Sequence, residues 1–567
     1  MGYQKTYTLW KKALPLEQDA LSALAEDTAL LEDAFGANLS FGTAGMRGKM
    51  GLGTNRMNIY TVRRATQGYA EYIHSIDGAN RGVVIAYDTR TNSAVFAKEC
   101  ALMLAKNNIK VYLYDGARSV PQLSFSILAL NCAGGIVITA SHNEAPYNGY
   151  KAYNQYGGQV LEDEAMRITS FIEHIANYLQ LEPLTEEDAL QQGLLTYVGA
   201  ALDEAYFSSV TTLLHKVNGN LSCKPVEVVY TPLYGTGKAP ILHLLNNLHV
   251  PVRLVEEQAA PNGAFPGLSA PNPEDPASFA LAIEVANAHQ IDIILATDPD
   301  ADRLGVALRN KNGMFQILSG NQLGCILLAY LLERYAAQNT LPQDGFITRS
   351  IVTTPLADQI AAAYHVATRE VFTGFKYVAN EIRLAQAQNN ATFLFGFEDS
   401  YGYLASTDVR DKDAPAAAAL FVSAAAYYAA QKLSLFDVLE KLYQIYGYYL
   451  EDTISLTLEG TEGQAKMQKT MDALRAEPLL SVDQYPVTKT IDYIIPIGPI
   501  DEMHSEMPPS DVLQFDLENG KIIIRPSGTE PKLKVYLLCH HKEKKIAEKM
   551  LGDMHAAVSS LLKKHLN

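Results

Sequence analysis

Ser141 and His142 stand at the point where an apolar strand pattern stops. The run before them, residues 134–138, reads GGIVI and indicates a buried strand. A hydroxyl beside an imidazole at a strand end is typical of a reaction centre, and Lys151 adds a positive charge after the loop. A hydrolase nucleophile elbow requires GxSxG, but Thr139 occupies the position two before Ser141. The loop therefore predicts either a polar turn that satisfies its own backbone or a site with other chemistry.

Three aspartates alternate along a second loop, in IDIILATDPDADRLG. Asp298, Asp300 and Asp302 can turn their carboxylates toward one point and bind a hard cation through oxygen. One or two of them could instead cap the backbone, but three repelling carboxylates need a cation. An EF-hand is excluded, because Arg303 falls at the glycine position of that motif and Arg309 at its bidentate glutamate position. The spacing predicts a metal site, with Mg2+ favoured over Ca2+ because phosphate is the expected co-ligand.

The aspartates also indicate a role for Ser141. A neutral hydroxyl is a weak partner for such a site, whereas a phosphoserine carries about two negative charges and strong acceptor oxygens. We therefore expect Ser141 to be phosphorylated and to complete the ligand set of a single Mg2+. Arg303 would offset the local negative charge.

Two further loops offer groups that bind sugars and phosphates. In RPSGTEP, Arg525 can pair with a phosphate in a bidentate manner, although the segment is also compatible with a plain hairpin turn. In GFEDSYGYL, Glu398 and Ser400 can accept from and donate to sugar hydroxyls. The remaining candidate phosphate-binding groups of these and other loops are Ser527, Gly528, Thr529, Arg47, Lys376, Arg410 and Lys412.

The elements that must position these groups follow one repeated pattern. An apolar strand followed by a polar, glycine-bearing loop occurs three times, which indicates repeated α/β units. Ligands of open parallel sheets bind outside the carboxyl ends of the strands, so the three loops could meet at one cleft. A fourth unit begins near Gly447 and ends with two strands and an amphipathic closing helix. The uncharged run 414–431 is rich in alanine and indicates a buried helix instead of a membrane span.

Composition limits the classes of function. A formal net charge of −16 argues against an extended nucleic-acid surface, which draws on clustered lysine and arginine. Five cysteines without CxxC spacing favour a reducing, cytoplasmic setting. The first residues lack an apolar signal-peptide core, and their match to the short myristoylation pattern is attributed to chance. We expect a chain that binds neither nucleic acid nor membrane.

Five motifs, in order along the whole chain, resemble the successive loops of the α-D-phosphohexomutase superfamily, in its phosphoglucomutase-like branch. They are FGTAGMRG, TASHNEAPYNGYK, DPDADR, GFEDSYGYL with RDKD, and RPSGTEPK. The resemblance implies an α/β protein of four domains around a central cleft, with three similar α/β units with mixed sheets and a smaller C-terminal α+β domain. The expected domains are 1–205 with the phosphoserine loop, 206–317 with the metal loop, 318–446 with the sugar loop, and 447–567 with the phosphate loop.

The resemblance also implies a role for each site residue. The catalytic set would be Ser141, His142, Lys151, Arg47 and Lys412. The metal would be held by the phosphate of Ser141 and by Asp298, Asp300 and Asp302. The substrate-binding set would be Thr373, Gly374, Lys376, Glu398, Ser400, Arg410, Arg303, Arg525, Ser527, Gly528 and Thr529.

The implied activity is that of an isomerase that interconverts hexose 1-phosphate and hexose 6-phosphate, with glucose phosphates the expected pair. A phosphoserine and a bisphosphate would be its intermediates, and glucose 1,6-bisphosphate would prime the enzyme, which would act as a monomer or homodimer. The alternatives are a phosphomannomutase or phosphopentomutase and, outside the enzymes, a non-catalytic phosphosugar-binding regulatory protein. Two motifs depart from the family pattern, since SHNP is replaced by SHNEAP and RDKDG by RDKDA. Neither departure removes an ionisable group.

Overall fold

The chain forms two compact units. The structure is a computed structural model that describes residues 2–43, 45–219, 223–458, 460–495, 507–526 and 532–566. Unit 1 comprises Met1–Ser319, Phe375–Leu384 and Ser400–Ser423. Unit 2 comprises Gly320–Gly374, Ala385–Asp399 and Ala424–Asn567.

Unit 1 begins with three short helices that pack through aromatic rings. Trp10 is 1% exposed and makes edge contacts with Phe35 and Tyr60. Asp27 begins the third helix by accepting hydrogen bonds from two of its amide groups. The three helices are α1 (Tyr3–Ala13), α2 (Gln18–Leu24) and α3 (Thr28–Phe35).

The first sheet of unit 1 is mixed and carries the loop of Ser141. Its strands are β1 (Gly45–Lys49), β2 (Val83–Tyr87), β3 (Val111–Tyr114), β4 (Gly134–Ile138), β5 (Tyr147–Asn154) and β6 (Leu195–Val198). They lie in the order β1-β5-β4-β2-β3-β6, with β5 antiparallel to both β1 and β4 and the other neighbours parallel. Every residue of β4 is buried, which matches its uninterrupted apolar sequence. The helices of this part are α4 (Ile59–Ser75), α5 (Ser93–Lys106), α6 (Val120–Ala129), α7 (Glu162–His174), α8 (Glu186–Gln191) and α9 (Ala200–Asn218).

The second sheet of unit 1 carries the loop of three aspartates. Its strands are β7 (Val228–Thr231), β8 (Val252–Leu254), β9 (Ile293–Thr297), β10 (Leu304–Arg309) and β11 (Phe315–Ile317), and its helices are α10 (Lys238–Asn247) and α11 (Ala280–His289). The strand order is β11-β10-β9-β7-β8, with parallel pairing of β7 to β8 and β9. The hairpin of β9 and β10 closes directly over the aspartates, because Thr297 pairs with Leu304.

The third sheet lies in unit 2 with parallel strands in the order β13-β12-β14. These strands are β12 (Gly345–Ser350), β13 (Ala367–Val371) and β14 (Thr392–Glu398). The same stretch of the chain contains α12 (Gly320–Ala337), α13 (Leu356–Ala362) and α16 (Leu435–Tyr446) in unit 2, and β15 (Gly402–Leu404) in unit 1. The helices α14 (Phe375–Gln388) and α15 (Ala414–Ala430) each begin in unit 1 and end in unit 2. The helix expected over 414–431 is confirmed as α15.

The rest of unit 2 is an antiparallel sheet covered by two helices. Its strands are β16 (Tyr448–Thr457), β17 (Ser481–Val482), β18 (Tyr485–Asp492), β19 (Leu513–Leu517), β20 (Gly520–Pro526) and β21 (Lys532–His541), in the order β16-β21-β20-β19-β18-β17. Alternate residues such as Ile522 and Ile524 share a core with Met550 and Met554 of the closing helix. The helices are α17 (Gly460–Ala476) and α18 (Lys544–Leu566).

The three predicted strand and loop pairs correspond to β4, β9 and β14. In each case the polar loop begins at the carboxyl end of the strand, as the sequence pattern indicates. No helix of the described residues has the length and apolarity that a membrane crossing requires.

Candidate active site

The Ser141 loop, taken as residues 139–147, runs from the end of β4 to the first residue of β5. Antiparallel pairing of Ile138 with Tyr150 holds its two ends together. Ser141 itself has a positive φ of 51°, an unfavourable backbone conformation for a residue with a side chain. Its amide donates a 2.8 Å hydrogen bond to Oγ1 of Thr139. The loop thereby fixes the direction of a hydroxyl that is almost completely buried.

The aspartate loop, residues 298–303, folds on the carboxylate of its own first residue. Oδ1 of Asp298 accepts hydrogen bonds from the amides of Asp302 and Arg303, at 3.2 and 3.1 Å. Asp298, Asp300 and Asp302 are each at most 1% exposed. One ligand oxygen from each lies within 4.8 Å of the others. Alternation along the loop therefore does bring the three carboxylates to one point.

The two loops meet inside unit 1. Oγ of Ser141 donates a 2.6 Å hydrogen bond to Oδ2 of Asp298. Oγ1 of Thr139 lies 3.2 Å from Oδ2 of Asp300. The backbone carbonyl of Asp300 also accepts a 2.9 Å hydrogen bond from the amide of Val120, at the start of α6. Both sheets of unit 1 and one helix N-terminus thus determine where the serine hydroxyl lies.

Two lysines balance the charge of the aspartates. Nζ of Lys151 lies 2.9 Å from Oδ2 of Asp300, and Nζ of Lys412 lies 3.0 Å from Oδ2 of Asp302. Burial opposes ionisation of Asp300, but Lys151 holds the pKa of that carboxyl well below its usual range. Burial, together with the charges of Asp300 and Asp302, raises the pKa of Asp298 well above its usual range. A cation bound here would offset the burial and the repulsion that raise the pKa of Asp298.

The donor set fits a hard divalent cation. Among the described residues, Oδ1 of Asp300 and Oδ1 of Asp302 are buried acceptors that have no hydrogen-bond partner. A buried acceptor without a partner is costly unless a ligand satisfies it. Carboxylate oxygens are the ligands that Mg2+ and Ca2+ prefer in proteins. The aspartate loop is accordingly suited to a metal ion, with the hydroxyl of Ser141 beside it.

Arg47 and His142 flank the serine. Nη1 of Arg47, on β1, donates a 2.8 Å hydrogen bond to Oδ1 of Asn143 in the Ser141 loop. The pairing of β1 with β5, in which Arg47 lies opposite Gly149, sets this approach. Nδ1 of His142 lies 3.3 Å from Oγ of Ser141. His142 is therefore close enough to act on a group attached to the serine, and Arg47 is anchored to the same loop.

Arg303 connects the aspartate loop to the loop of Ser400. Its guanidinium pairs with Glu274 and lies 3.9 Å from Oδ1 of Asp302. Its backbone forms an antiparallel bridge with Gly402. The adjacent amide of Leu304 donates a 3.0 Å hydrogen bond to the carbonyl of Tyr401. Ser400 therefore belongs to a segment whose backbone is hydrogen-bonded to the end of the aspartate loop.

Lys376 and Arg410 are both buried in unit 1. Nζ of Lys376 forms a 2.6 Å ion pair with Glu162, so the lysine already has a carboxylate partner. The amide of Arg410 donates a 2.7 Å hydrogen bond to Oγ of Ser124. Burial lowers the pKa of the Arg410 guanidinium to about 10, with Asp408 opposing the shift.

The remaining sequence-predicted residues that the structure describes lie in unit 2. Oε1 of Glu398, at the end of β14, accepts a 2.6 Å hydrogen bond from the amide of Gly374. Gly374 has a φ of 129°, which explains a glycine at this position. Within the described residues, the buried Oγ1 of Thr373 has no hydrogen-bond partner. Arg525 lies on β20 opposite Lys534. Ser527, Gly528 and Thr529 lie outside the described residues.

The chain matches family models along most of its length. Four segments match the models of the phosphoglucomutase/phosphomannomutase α/β/α domains I, II and III and C-terminal domain, over residues 38–179, 204–313, 319–446 and 458–550. The chain belongs to the phosphoglucomutase/phosphomannomutase family. The family and the fold class expected from the motifs are thereby confirmed, and so is the expectation of an isomerase of the phosphohexomutase type.

Relatives within the phosphoglucomutase/phosphomannomutase family match over most of the chain. A phosphoglucomutase of Staphylococcus saprophyticus is 36% identical over 88% of this chain and 90% of its own length. A phosphoglucomutase of Staphylococcus epidermidis is 37% identical over 90% of this chain and 92% of its own length.

Solved structures of the family share the fold. A family member from Burkholderia thailandensis has a TM-score of 0.67 and 18% identity, over 93% of this chain and 98% of its own. Parafusin, a phosphoglucomutase from Paramecium, has a TM-score of 0.65 and 18% identity, over 94% of both chains. These likenesses confirm the architecture.

Sequence reasoning missed several residues that this family member places at the site. Asp411 accepts hydrogen bonds from Tyr153 and Gln159, at 2.7 and 2.9 Å, and lies 3.0 Å from Nζ of Lys412. It therefore orients the lysine that contacts Asp302. Its position in the charged segment RDKD was a usable signal, because adjacent opposite charges that become buried require partners.

Arg90 and Asp88 are the second omission. They follow β2 in the segment VVIAYDTR, which shows the same apolar strand and polar loop pattern as the three segments used for prediction. Oδ2 of Asp88 accepts a 2.7 Å hydrogen bond from Oγ1 of Thr139. Applying the pattern to every strand would have found this pair.

Proposed function

We propose that this family member interconverts a hexose 1-phosphate and a hexose 6-phosphate, and that glucose phosphates are its substrates. The observation that carries the proposal is the 2.6 Å hydrogen bond from the Ser141 hydroxyl to Asp298, within a buried carboxylate triad suited to a metal. The identity to two staphylococcal phosphoglucomutases supports the choice of glucose.

In this proposal Ser141 carries the transferred phosphoryl group. Asp298, Asp300 and Asp302 would hold one Mg2+ per chain, together with the phosphoserine. When bound, the ion would neutralise charge on the phosphoryl oxygens. The fixed backbone of Ser141 keeps its Oγ at one position, which favours in-line transfer.

Charged neighbours of Ser141 would assist the transfer. Arg47, bonded to Asn143, and Arg303, beside Asp302, would stabilise the negative charge of the phosphoryl group. His142, with Nδ1 at 3.3 Å from the serine oxygen, would move the proton of the hydroxyl. Lys151 and Lys412, each paired with a triad aspartate, would orient the carboxylates and keep the site close to neutral.

The reaction would proceed in two halves. Phosphoserine would give its phosphoryl group to the sugar phosphate, and the resulting bisphosphate would reorient and return its other phosphoryl group to Ser141. Glucose 1,6-bisphosphate would therefore prime a dephosphorylated enzyme. A bisphosphate that escapes would leave the serine unmodified and the enzyme inactive.

The proposed substrate-binding roles are carried over from the family motifs. Glu398 and Ser400 would bind sugar hydroxyls, and Arg525 would bind the phosphate that does not react. Lys376 could join them only by exchanging its ion pair with Glu162 for a substrate group. The other proposed substrate-binding residues are Thr373, Gly374, Arg410, Ser527, Gly528 and Thr529.

The domain bounds and the compartment also stand as proposals. We retain domain boundaries after residues 205, 317 and 446. All five cysteines lie in the described part of the chain and are free thiols, which supports a reducing, cytoplasmic compartment.

A substrate panel tests the proposed function. Purified protein would be assayed with the 1-phosphates of glucose, mannose, ribose and deoxyribose, each with Mg2+ and trace hexose bisphosphate. We expect the highest kcat/KM with glucose 1-phosphate. A higher kcat/KM with mannose 1-phosphate or a pentose phosphate would replace glucose as the substrate, and no turnover of any of the four would refute the proposal.

A further inference from the structure

Arg90 is a buried charge that the proposed reaction does not use. It follows β2 directly and is 3% exposed. Arginine is seldom buried to this extent unless its charge is paired and most of its donors are hydrogen-bonded. The partners of Arg90 therefore indicate what the residue is for.

The guanidinium of Arg90 binds the backbone of the Ser141 loop. Nη2 donates to the carbonyls of Ser141 and Asn143 in two short hydrogen bonds. Nη1 donates to the carbonyls of Glu144 and Tyr147, at 2.9 and 3.1 Å. One planar group thus donates to four carbonyls of the Ser141 loop, which a lysine ammonium cannot do with the same geometry.

Asp88 completes this arrangement on the other side. Its Oδ2 lies 3.3 Å from Nε of Arg90 and accepts the hydrogen bond from Oγ1 of Thr139. Oγ1 of Thr139 in turn accepts a hydrogen bond from the amide of Ser141. The carbonyl of Ser141 is therefore held by Arg90, and its amide is held through Thr139 by Asp88.

A loop of the second sheet region covers the guanidinium. The centre of the Phe265 ring lies 4.8 Å from the guanidinium carbon of Arg90, and the ring is 1% exposed. The backbone beside it is also close, because a Cβ on Gly263 would lie 2.2 Å from the amide nitrogen of Thr91. The ring excludes water from the hydrogen bonds that Arg90 makes.

We infer that Asp88, Arg90 and Phe265 form a clamp that maintains the strained backbone of Ser141 and so positions its hydroxyl for phosphoryl transfer. A positive φ at a serine costs about 1–3 kcal/mol and persists only where the surroundings over-determine it. Arg90 is a positioning residue in this account, because it touches the loop and not the reacting atoms.

The clamp also explains how this chain accommodates its unusual loop. The segment SHNEAP places Glu144 and Ala145 before the proline. The carbonyl of Glu144 is one of the four that Arg90 binds. The altered loop is therefore held by the same guanidinium that holds Ser141.

The relevance of the clamp to catalysis rests on the proposed function, whereas its effect on the loop does not. The test compares full-length wild type with Arg90→Lys, Phe265→Leu and the control Arg118→Lys. The control is matched because Arg118 also contacts a carboxylate, with its Nε 3.0 Å from both oxygens of Asp203. Its replacement by lysine removes an arginine–carboxylate contact outside the Ser141 loop. Hydrogen exchange of the amides in 139–147 and the kcat and KM for glucose 1-phosphate are measured for each protein.

We expect Arg90→Lys to speed exchange of the loop amides by about tenfold. Its kcat should fall by about 10²-fold while KM changes by less than about threefold, because positioning is lost and binding is not. Phe265→Leu should also speed loop exchange and lower kcat, but by smaller factors than Arg90→Lys. Arg118→Lys should change neither the loop exchange rate nor kcat.

Equal loop exchange in Arg90→Lys and Arg118→Lys, or an unchanged kcat in Arg90→Lys, would overturn the clamp. Should Arg90→Lys not fold, the same comparison is decided by Phe265→Leu, for which unchanged loop exchange would overturn it. Faster exchange in the variants, combined with a wild type that turns over no hexose phosphate, would refute the proposed function and support the clamp.

Discussion

The hydroxyl of Ser141 donates a 2.6 Å hydrogen bond to the carboxylate of Asp298. The two residues are separated by 157 positions in the chain and lie at the ends of strands in different sheets. Asp298 also accepts hydrogen bonds from the amides of Asp302 and Arg303, so the serine is connected to the whole aspartate loop.

Asp298→Asn should lower mutase turnover by about 10²-fold or more, because it removes the charge that holds both Ser141 and the proposed metal. The measurement is kcat with glucose 1-phosphate at saturating Mg2+. Asp292→Asn is the matched control, since its carboxylate precedes the same strand and is 70% exposed. Turnover of Asp298→Asn above half of the wild-type value would contradict the assignment.

Removal of metal should abolish turnover, and Mg2+ should restore it. Binding to the folded protein at a hundred times Kd adds about 2.7 kcal/mol to stability, so Mg2+ should also raise the Tm of chelator-treated protein. Asp300→Asn should lose this rise, because its buried Oδ1 is one of the proposed ligands. An equal rise of Tm in wild type and Asp300→Asn would place the metal elsewhere.

Gly402→Ala should lower turnover by about 10-fold to 10²-fold through displacement of Lys412. A Cβ at this position would lie 2.1 Å from Cδ and 2.5 Å from Cγ of the lysine, whose flexible chain must then move away from Asp302. Gly552→Ala is the control, because a Cβ there meets nothing within 4 Å. The account of Lys412 fails if Gly402→Ala and Gly552→Ala have the same kcat.

Asp413 should make stability fall between about pH 4 and pH 6. Burial raises the pKa of its carboxyl to about 6, with the Tyr206 hydroxyl and the Ala416 amide opposing the shift. A raised pKa means that the contribution is complete at low pH and is lost as the pH rises through about 6. Relative to Asp413→Asn, the wild type should lose about 3 kcal/mol over this range.

The measurement for Asp413 is the difference in Tm between wild type and Asp413→Asn at a series of pH values. Asp408→Asn is the control, because Asp408 lies in the same segment and is exposed. A constant difference between wild type and Asp413→Asn across the series would show that the carboxyl does not titrate in this range.

Much of the site could be predicted from local sequence. Apolar strands that stop at polar loops located Ser141 and the aspartates, because side-chain period and turn chemistry are local properties. The alternation of Asp298, Asp300 and Asp302 was sufficient to predict their convergence. The helix over 414–431 was predictable because alanine strongly favours helix and an uncharged run of this length is best buried in a globular chain.

The contacts between distant segments could not be predicted. The pairing of Lys376 with Glu162 depends on α14 packing near α7, and no sequence spacing encodes that approach. The same holds for Lys412 and Asp302, and for Arg90 and the Ser141 loop. In each case a charge is buried by tertiary packing, and only the three-dimensional fold determines which partner it meets.

The central claim is that Ser141 carries a phosphoryl group, and labelling tests it most directly. Wild type and Ser141→Ala would be incubated with Mg2+ and glucose 1,6-bisphosphate bearing radiolabelled phosphoryl groups, and the labelled peptide would be identified. We predict stoichiometric label on the peptide that contains Ser141, no label in Ser141→Ala, and loss of mutase turnover in that variant. Equal labelling of the two proteins, or full turnover by Ser141→Ala, would contradict the account.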